Sequence, residues 1–311
     1  MKMSFVIPCY GSEETLEGVV SEIKAVVSKR SDLKYEIIMV SDHSPDNVYQ
    51  VIERMCWEDP MHLRGLELAR NFGQHSALMA GYASSDGDVV FSLDDDGQAP
   101  VESMLTLLDE MEQKSIDVVF GCYPRKKHSF FRNLGSTVND FMLRWLLGKP
   151  KSLRITSFFV MRRFVVDAML KYGGAFPYIA GLIFRVTRNI ANVEVQHRER
   201  AKGVSGYTWR KLLSLWLNGF TAFSVKPLQL ATFVGFATST AGFAFGVWTV
   251  MRKLFIAPEM PIGYSSLMSV ILFLGGIVMI ILGLIGEYVG RIYISINQSP
   301  QYVIRRTTEE K

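Results

Sequence analysis

Two stretches without a charge constrain this chain of 311 residues more than any other feature. After Lys226 the next charged residue is Arg252, which leaves residues 227–251 an uncharged run of 25. After Glu259 the next is Glu287, leaving a second uncharged run of 27. A helix needs about 20 apolar residues to cross a bilayer. LQLATFVGFATSTAGFAFGVWTV and SLMSVILFLGGIVMIILGLIG are both long enough, and they predict two transmembrane helices, residues 227–251 and 264–286, around a short loop, 252–263. Before about residue 225 charges recur every few positions, as in a domain bathed in water. The opening MKMSFVIPCYGSEE turns polar too soon for a signal h-region, so the first domain is expected to stay where it was made. Arg210, Lys211 and Lys226 precede the first run and Arg291, Arg305 and Arg306 follow the second, against Arg252 and Lys253 between them. The positive-inside rule then predicts a multi-pass protein of the cell (inner) membrane with its large first domain, both termini and a tail, 287–311, in the cytoplasm.

The first two hundred residues alternate two periodicities. MSFVIP, YEIIMV, RGLELA, DVVFSL and DVVFG are short apolar runs with the character of buried strands. Between them GSEETLEGVVSEIKAVVSK places Leu16, Val19, Val20, Ile23, Val26 and Val27 at helical spacing, with Ser12 as the expected N-cap. The region Asn47 to Cys56, HSALMAGYASS and VESMLTLLDEMEQK also have helical character, and SDHSPDN is a turn-forming cluster. Such alternation predicts an α/β fold, a mostly parallel sheet covered by helices on both faces. Its ligands sit beyond the carboxyl ends of the strands, at a switch in strand order. Three polar clusters follow three strand ends here: Pro8–Cys9–Tyr10, Ser41–Asp42 and Asp94–Asp95–Asp96.

Three adjacent carboxylates repel one another, and Asp is a poor strand former, so the triplet in FSLDDDGQAP calls for a ligand. Side chains alternate at a strand end, so Asp94 and Asp96 can share one side while Asp95 takes the other. A carboxylate pair on one side suits a hard divalent cation, because Mg²⁺ takes one or two carboxylates and fills its shell with water and phosphate oxygens. The chain has no GxxxxGK[ST] loop and no GxGxxG after its first strand, which disfavours a P-loop nucleotidase and a dinucleotide oxidoreductase. Cys9, Cys56 and Cys122 lack metal-type spacing. The formal charge of +4 gives no reason to expect nucleic acid as a partner.

FVIPCYGSEETL, IIMVSDHSPDN, LARNFGQHSALMAGY, FSLDDDGQAP, RERAKGVSGYTWRKL and GEYVGRIY, in this order and with the two apolar runs, resemble the family 2 glycosyltransferases of the membrane-bound polyprenyl-phosphate group. That group includes dolichol-phosphate mannose synthases, bactoprenol glucosyltransferases and undecaprenyl-phosphate aminoarabinose transferases. The resemblance implies a GT-A nucleotide-binding domain over residues 1–206. It implies transfer of one sugar from a nucleotide sugar, usually UDP-linked, to polyprenyl phosphate, with Mg²⁺ or Mn²⁺ as cofactor. Pro8, Tyr10 and Glu14 would line the nucleotide site and Asp42 would read the base. Asp94 and Asp96 would be the DxD metal pair with Gln98 beside them, and Asp95 would take the variable middle place along the same pocket. Arg70, Asn71, Gly73, Gln74 and His75 match a motif near the sugar nucleotide. The chain departs from the pattern at Gly11, Ser41, His43, Phe159 and Gly206. A homo-oligomer is compatible with the resemblance, and nothing in the residues compels one.

Between Phe158 and Ile183 the only acid is Asp167, within a helix-like segment, and that suits a phosphate acceptor that needs no general base. A phosphomonoester has a second pKa near 6 and is already mostly dianionic at neutral pH, so it needs cations to place it. Candidates are Arg125, Lys126, Lys127, His128 and Arg132, and a second set of His197, Arg198 and Arg200, with Ser205 and Tyr207 following; Arg125 and Arg200 are favoured. These same residues could form a juxtamembrane basic face drawn to anionic lipid. Residues 207–226 predict an amphipathic helix in the membrane interface. A processive polysaccharide synthase is the nearest alternative enzyme, but Phe141 stands where its QxxRW motif would place Gln before Arg144–Trp145. A non-catalytic membrane scaffold is the alternative of another class, and the intact Asp42, Asp94 and Asp96 argue against it.

Overall fold

A computed structural model of the chain describes residues 1–30, 32–123, 144, 149–196, 226–255, 263–296 and 299–308. The described chain divides into two compact units, Met1–Leu212 with Gln298–Lys311, and Leu213–Asn297.

The first unit is built on one eight-stranded sheet in the order β7-β5-β6-β4-β1-β2-β3-β8. The five strands expected from sequence are β1 (Lys2–Cys9), β2 (Lys34–Ser41), β3 (Leu63–Leu68), β4 (Val89–Ser92) and β5 (Val118–Cys122). Three more complete the sheet: β6 (Phe159–Arg162), β7 (Ile190–Glu194) and β8 (Ile304–Thr307). β1 lies parallel between β2 and β4, and β3 extends the parallel set beyond β2. β6 runs antiparallel between β4 and β5, β7 lies parallel to β5, and β8 runs antiparallel to β3. Only β6 and β8 therefore oppose the common direction. The chain steps outward from β1 to β3 and then returns to β4 on the other side of β1, so the switch in strand order falls between β1 and β4.

The helices α1 (Leu16–Val27), α2 (Val48–Glu58), α3 (Gln74–Ala83), α4 (Met104–Gln113), α5 (Arg163–Leu170) and α6 (Ile179–Val186) belong to this unit. Strands covered on both faces must be apolar throughout, and every residue of β1 after Lys2 is buried. Phe5 and Phe91, cross-strand partners on β1 and β4, stack with ring centroids 5.0 Å apart. Leu16, Val19, Val20, Ile23, Val26 and Val27 of α1 are all buried. Ser12 does not cap α1 by the expected route. The helix begins at Leu16, and it is the Ser12 carbonyl that accepts the Thr15 and Leu16 N–H groups, at 3.0 and 3.1 Å. On the other face α3 lies so close to β1 that a Cβ at Gly81 would fall 2.3 Å from Val6 Cγ1, and only glycine fits there. At the end of the sheet away from the polar clusters, buried Glu36 accepts from Ser4 Oγ at 2.5 Å, the Asp86 N–H at 2.9 Å and Lys2 Nζ at 3.0 Å. A buried carboxylate is tolerated only with such partners, and this set ties β1, β2 and the approach to β4 together.

The second unit holds α7 (Lys226–Phe255) and α8 (Tyr264–Ile296). A Cβ at Gly235, in the first third of α7, would lie 3.7 Å from Ile281 Cδ1 near the middle of α8, so the two helices run side by side. Both expected apolar runs are helical, and α8 continues past the anticipated end at 286. Among the described residues only α8, over Phe273–Gly290, is long and apolar enough by composition to cross a membrane. The expectation of two such spans is therefore met in one helix. α7 is diluted by threonines and glycines, and its Thr238 and Thr240 hydroxyls fold back onto the Val234 and Phe236 carbonyls at 2.7 and 2.9 Å.

Candidate active site

The three polar clusters meet at the carboxyl ends of β1, β2 and β4, over the switch point. Two loops form the first rim. After β1, the Gly11 N–H donates to Ser44 Oγ at 2.8 Å and the Glu13 N–H to Asp46 Oδ2 at 2.9 Å. In return Glu13 Oε2 accepts the Asn47 N–H at 3.1 Å. GSEE and SDHSPDN thus latch each other. Pro8 is buried within β1 opposite Val40, whereas Tyr10 is 53% exposed, an aromatic face at the edge of the crevice. His43 has φ 51°, the left-handed region where the related pattern has glycine.

Asp42 is buried at the end of β2, and its carboxylate spans the next loop: Oδ1 accepts the Phe72 N–H and Oδ2 the Gly73 N–H, both at 2.7 Å. Burial pushes its pKa above the ordinary carboxylate value, and the two N–H donors pull it back. Gly73 has φ +92° and precedes the first turn of α3, a conformation open to glycine almost alone. Asp42 and Gly73 together fix the RNFGQH turn. Exposed Arg70 lies over the Phe72 ring at 4.6 Å, and Asn71 and Glu14 are exposed on the two rim loops.

Gln74, the first residue of α3, reaches Asp94: its Nε2 donates to Oδ1 at 2.7 Å. The Ser157 hydroxyl, just ahead of β6, donates to Asp94 Oδ2. Burial lifts Asp94 to about 6; the Ser157 hydroxyl opposes that rise, and Asp96 and Asp95 add to it. Asp95 points elsewhere. It accepts the Tyr10 N–H at 3.0 Å, and its carbonyl accepts the Thr15 hydroxyl at 2.7 Å, so the middle acid clamps the β1–α1 loop. The acid expected at the variable middle place along the pocket is thus also a structural brace. Asp96 Oδ1 accepts the Gln98 N–H at 3.0 Å in the turn that follows. His75 meets Tyr178 edge-on at 5.2 Å, and burial holds it neutral with a pKa down to about 4. Asp167 is engaged on α5 by Arg163 Nε at 2.8 Å, so it is no loop-borne base.

Among the described residues no three His, Cys, Asp or Glu side chains converge on a metal position. The donor set fits a cation that takes the Asp94–Asp96 pair and completes its shell with phosphate oxygens and water, because a cation there would offset the burial and, after it, the neighbouring carboxylates that raise Asp94. Tyr10, Asp42, Gly73, Gln74, Asp94, Asp95, Asp96 and Gln98 are joined by direct contacts. Arg125, Lys126, Lys127, His128, Arg132, His197, Arg198, Arg200, Ser205, Tyr207 and the expected interfacial helix lie outside the described residues. Sequence reasoning missed Ser157. Its only signal was its place directly before an apolar run, FFVM, whose direction in the sheet no periodicity reveals.

Comparison with known proteins accounts for this arrangement. The model of "Glycosyl transferase family 2" matches residues 4–170, and that of "GtrB C-terminal hairpin" matches residues 226–292. The undecaprenyl-phosphate 4-deoxy-4-formamido-L-arabinose transferase of Proteus mirabilis (strain HI4320) is 33% identical over 312 residues, covering 100% of this chain and 95% of that protein. The protein of the same name in Yersinia pestis (strain Pestoides F) is 32% identical, covering 98% and 93%. Among solved structures, glucosyl-3-phosphoglycerate synthase from Mycobacterium tuberculosis, in a complex with Mn²⁺, UDP-glucose and phosphoglyceric acid, aligns with a TM-score of 0.53 at 18% identity, over 71% of this chain and 79% of that one. That likeness carries the fold; the full-length relatives and the domain match carry the family. A strand-end acid pair, an α/β sheet with its switch at β1 and β4, and a carboxyl-terminal helical hairpin are thus the parts of a glycosyltransferase, and the chain belongs to glycosyl transferase family 2.

Proposed function

We propose that this glycosyltransferase moves a single sugar from a UDP-linked donor to undecaprenyl phosphate at the cytoplasmic membrane face, with inversion, giving a lipid-linked monosaccharide for cell-envelope glycan modification. The observation that carries the reading is similarity along the whole chain, helical hairpin included, to undecaprenyl-phosphate sugar transferases. A UDP donor and a divalent cation draw support from the glucosyl-3-phosphoglycerate synthase complex, which holds both.

The residues suit the chemistry. Tyr10 offers a stacking face for the base, and the turn fixed by Asp42 and Gly73 brings Gln74 to Asp94. A divalent ion on Asp94 and Asp96, when bound, neutralises the charge of the departing diphosphate. Gln74 and Ser157 hold Asp94 in place for that contact. One in-line displacement by a phosphate oxygen inverts the anomeric carbon, and no acid among residues 158–183 is placed to serve a hydroxyl acceptor instead.

Membrane residence in two passes draws on connectivity. β1 to β7 precede the helical hairpin and β8 follows it, yet β8 belongs to the same sheet. A hairpin whose two ends return to one sheet crosses a bilayer an even number of times. That connectivity favours α7 as the partner span of α8 over a single pass by α8 alone. Outward-facing Phe236, Phe245 and Trp248 on α7, and Phe273, Met279 and Ile280 on α8, suit a lipid surround. The test is a panel of labelled sugar nucleotides offered to the detergent-purified protein with undecaprenyl phosphate. Label moving into the organic-extractable lipid supports the reading and identifies the sugar; label in a growing polymer would favour a processive synthase.

A further inference from the structure

The sheet order divides the crevice at Asp94. Tyr10 and Asp42 end β1 and β2 on one side, where the nucleotide is placed above. On the other side stand the end of β5 and the start of β6, bridged by residues 153–157. This segment is unusually well tied down for a loop. The Arg154 N–H donates to Asn192 Oδ1 at 2.7 Å, and Asn192 Nδ2 donates back to the Arg154 carbonyl at 2.8 Å. Thr156 Oγ1 donates to the Gly121 carbonyl at 2.7 Å, and Ser157 closes on Asp94. The Arg154 guanidinium is exposed and donates through Nη1 to the Tyr123 carbonyl at 2.6 Å. Burial first, and then the nearby charges of Asp94 and Asp96, lift the Tyr123 phenol to about 12.

Arg154 makes no ion pair among the described residues. A guanidinium has five donors in a fixed fork, and here Nη1 holds the Tyr123 carbonyl while the group stays exposed beside the segment that ends on Asp94. Asn192 holds the Arg154 backbone and the Tyr123 carbonyl holds its Nη1, so this cation has less freedom than a surface arginine with no such anchors. We propose that Arg154 is a phosphate-binding residue for the acceptor, pre-positioned by Asn192 and Tyr123 to receive the phosphomonoester opposite the donor diphosphate. The inference rests on the acceptor being a polyprenyl phosphate. Its chemistry, a dianionic phosphate met by a forked cation, is shared by the lipid acceptor and by free phosphate, and the donor diphosphate is the competing anion.

The test uses full-length protein in detergent and two variants, Arg154→Gln, which keeps a donor for the Tyr123 carbonyl, and Arg154→Lys, which keeps the charge without the fork. Equilibrium binding of farnesyl phosphate, inorganic phosphate and UDP is measured for each, alongside the KM for undecaprenyl phosphate and for the donor. The expected result is farnesyl phosphate affinity and lipid KM worsened about tenfold or more in Arg154→Gln, with a smaller change in Arg154→Lys. UDP affinity and donor KM should stay within about twofold. Weaker binding of farnesyl phosphate and inorganic phosphate alike locates the effect at the phosphate. Unchanged farnesyl phosphate binding in Arg154→Gln, or a loss confined to UDP, overturns the inference. A wild-type protein that binds farnesyl phosphate through Arg154 but transfers no sugar to lipid would strike the function reading alone.

Discussion

Arg306 Nε donates to Glu67 Oε2 at 2.8 Å, joining a strand that follows the helical hairpin to the third strand of the sheet. The same guanidinium lies 4.7 Å over the Tyr49 ring, and the Gly65 N–H donates to Thr308 Oγ1 at 2.9 Å. β8 thus covers the edge of β3, which would otherwise present unpaired backbone groups. Removing residues 299–311 should lower the thermal midpoint in detergent by about 5 °C or more and promote association of the exposed edge. Arg306→Ala should cost far less, because that pair is partly exposed and screened by salt. Thermal unfolding and size-exclusion profiles of both variants measure the difference. A truncation as stable and monodisperse as the parent would show that β8 is dispensable.

Asp42→Ala leaves the Phe72 and Gly73 N–H groups without their charged acceptor. Hydrogen bonds to ionised groups contribute about 1.5–3 kcal/mol each, so a stability loss of about 2 kcal/mol or more is expected. Gly73→Ala attacks the same turn from the backbone, at about 1–3 kcal/mol for a side chain held at φ +92°. Both should weaken nucleotide binding, read by calorimetry with UDP. Normal affinity in both variants would detach the turn from the site.

Asp94 and His75 titrate in opposite senses. Asp94 is raised from 3.8 to about 6 in the metal-free protein, so the folded chain holds a proton there that the unfolded chain releases. Its contribution is full below pH 4 and lost as pH rises through 6. His75 is lowered from 6.5 to about 4, so its contribution is present above pH 6.5 and lost as pH falls through 4. Each proton can tilt stability by up to about 1.4 kcal/mol per pH unit inside its window. His75→Leu should therefore flatten the acid limb of the stability curve, and Asp94→Asn should steepen it, as denaturant midpoints between pH 4 and 7 would show. Mn²⁺ affinity should also fall by up to about tenfold per unit below pH 6, since a ligand carboxylate must be ionised. Mn²⁺ affinity independent of pH over that range would remove Asp94 from the ligand set.

The inner strands were legible because a strand buried on both faces carries a continuous apolar run, as FVI of β1, IIMV of β2 and VVF of β4 do. The face of α1 followed from its period for the same reason. β8 was not legible: IRRT places two arginines in a solvent-facing edge strand, where no apolar pattern is required. β6 was hidden because FVMR is four residues long and runs straight into α5, so its apolar run merges with the helical one. Within the site, the DxD spacing marked Asp94 and Asp96. The bracing role of Asp95, the Asp42–Gly73 contact and the approach of Ser157 depend on where loops from different strands meet, which spacing along one strand cannot express.

The measurement that bears most directly on the account is nucleotide release by the purified protein from its accepted sugar nucleotide. It would be run with and without undecaprenyl phosphate and with Mn²⁺ or a chelator, for the parent and for Asp96→Asn. The account predicts release only when lipid phosphate and metal are both present, and a fall of roughly a thousandfold in Asp96→Asn with the fold intact, since a metal at the leaving group supplies several kcal/mol. Release that persists in chelator, or an Asp96→Asn protein of near-normal rate, would contradict it.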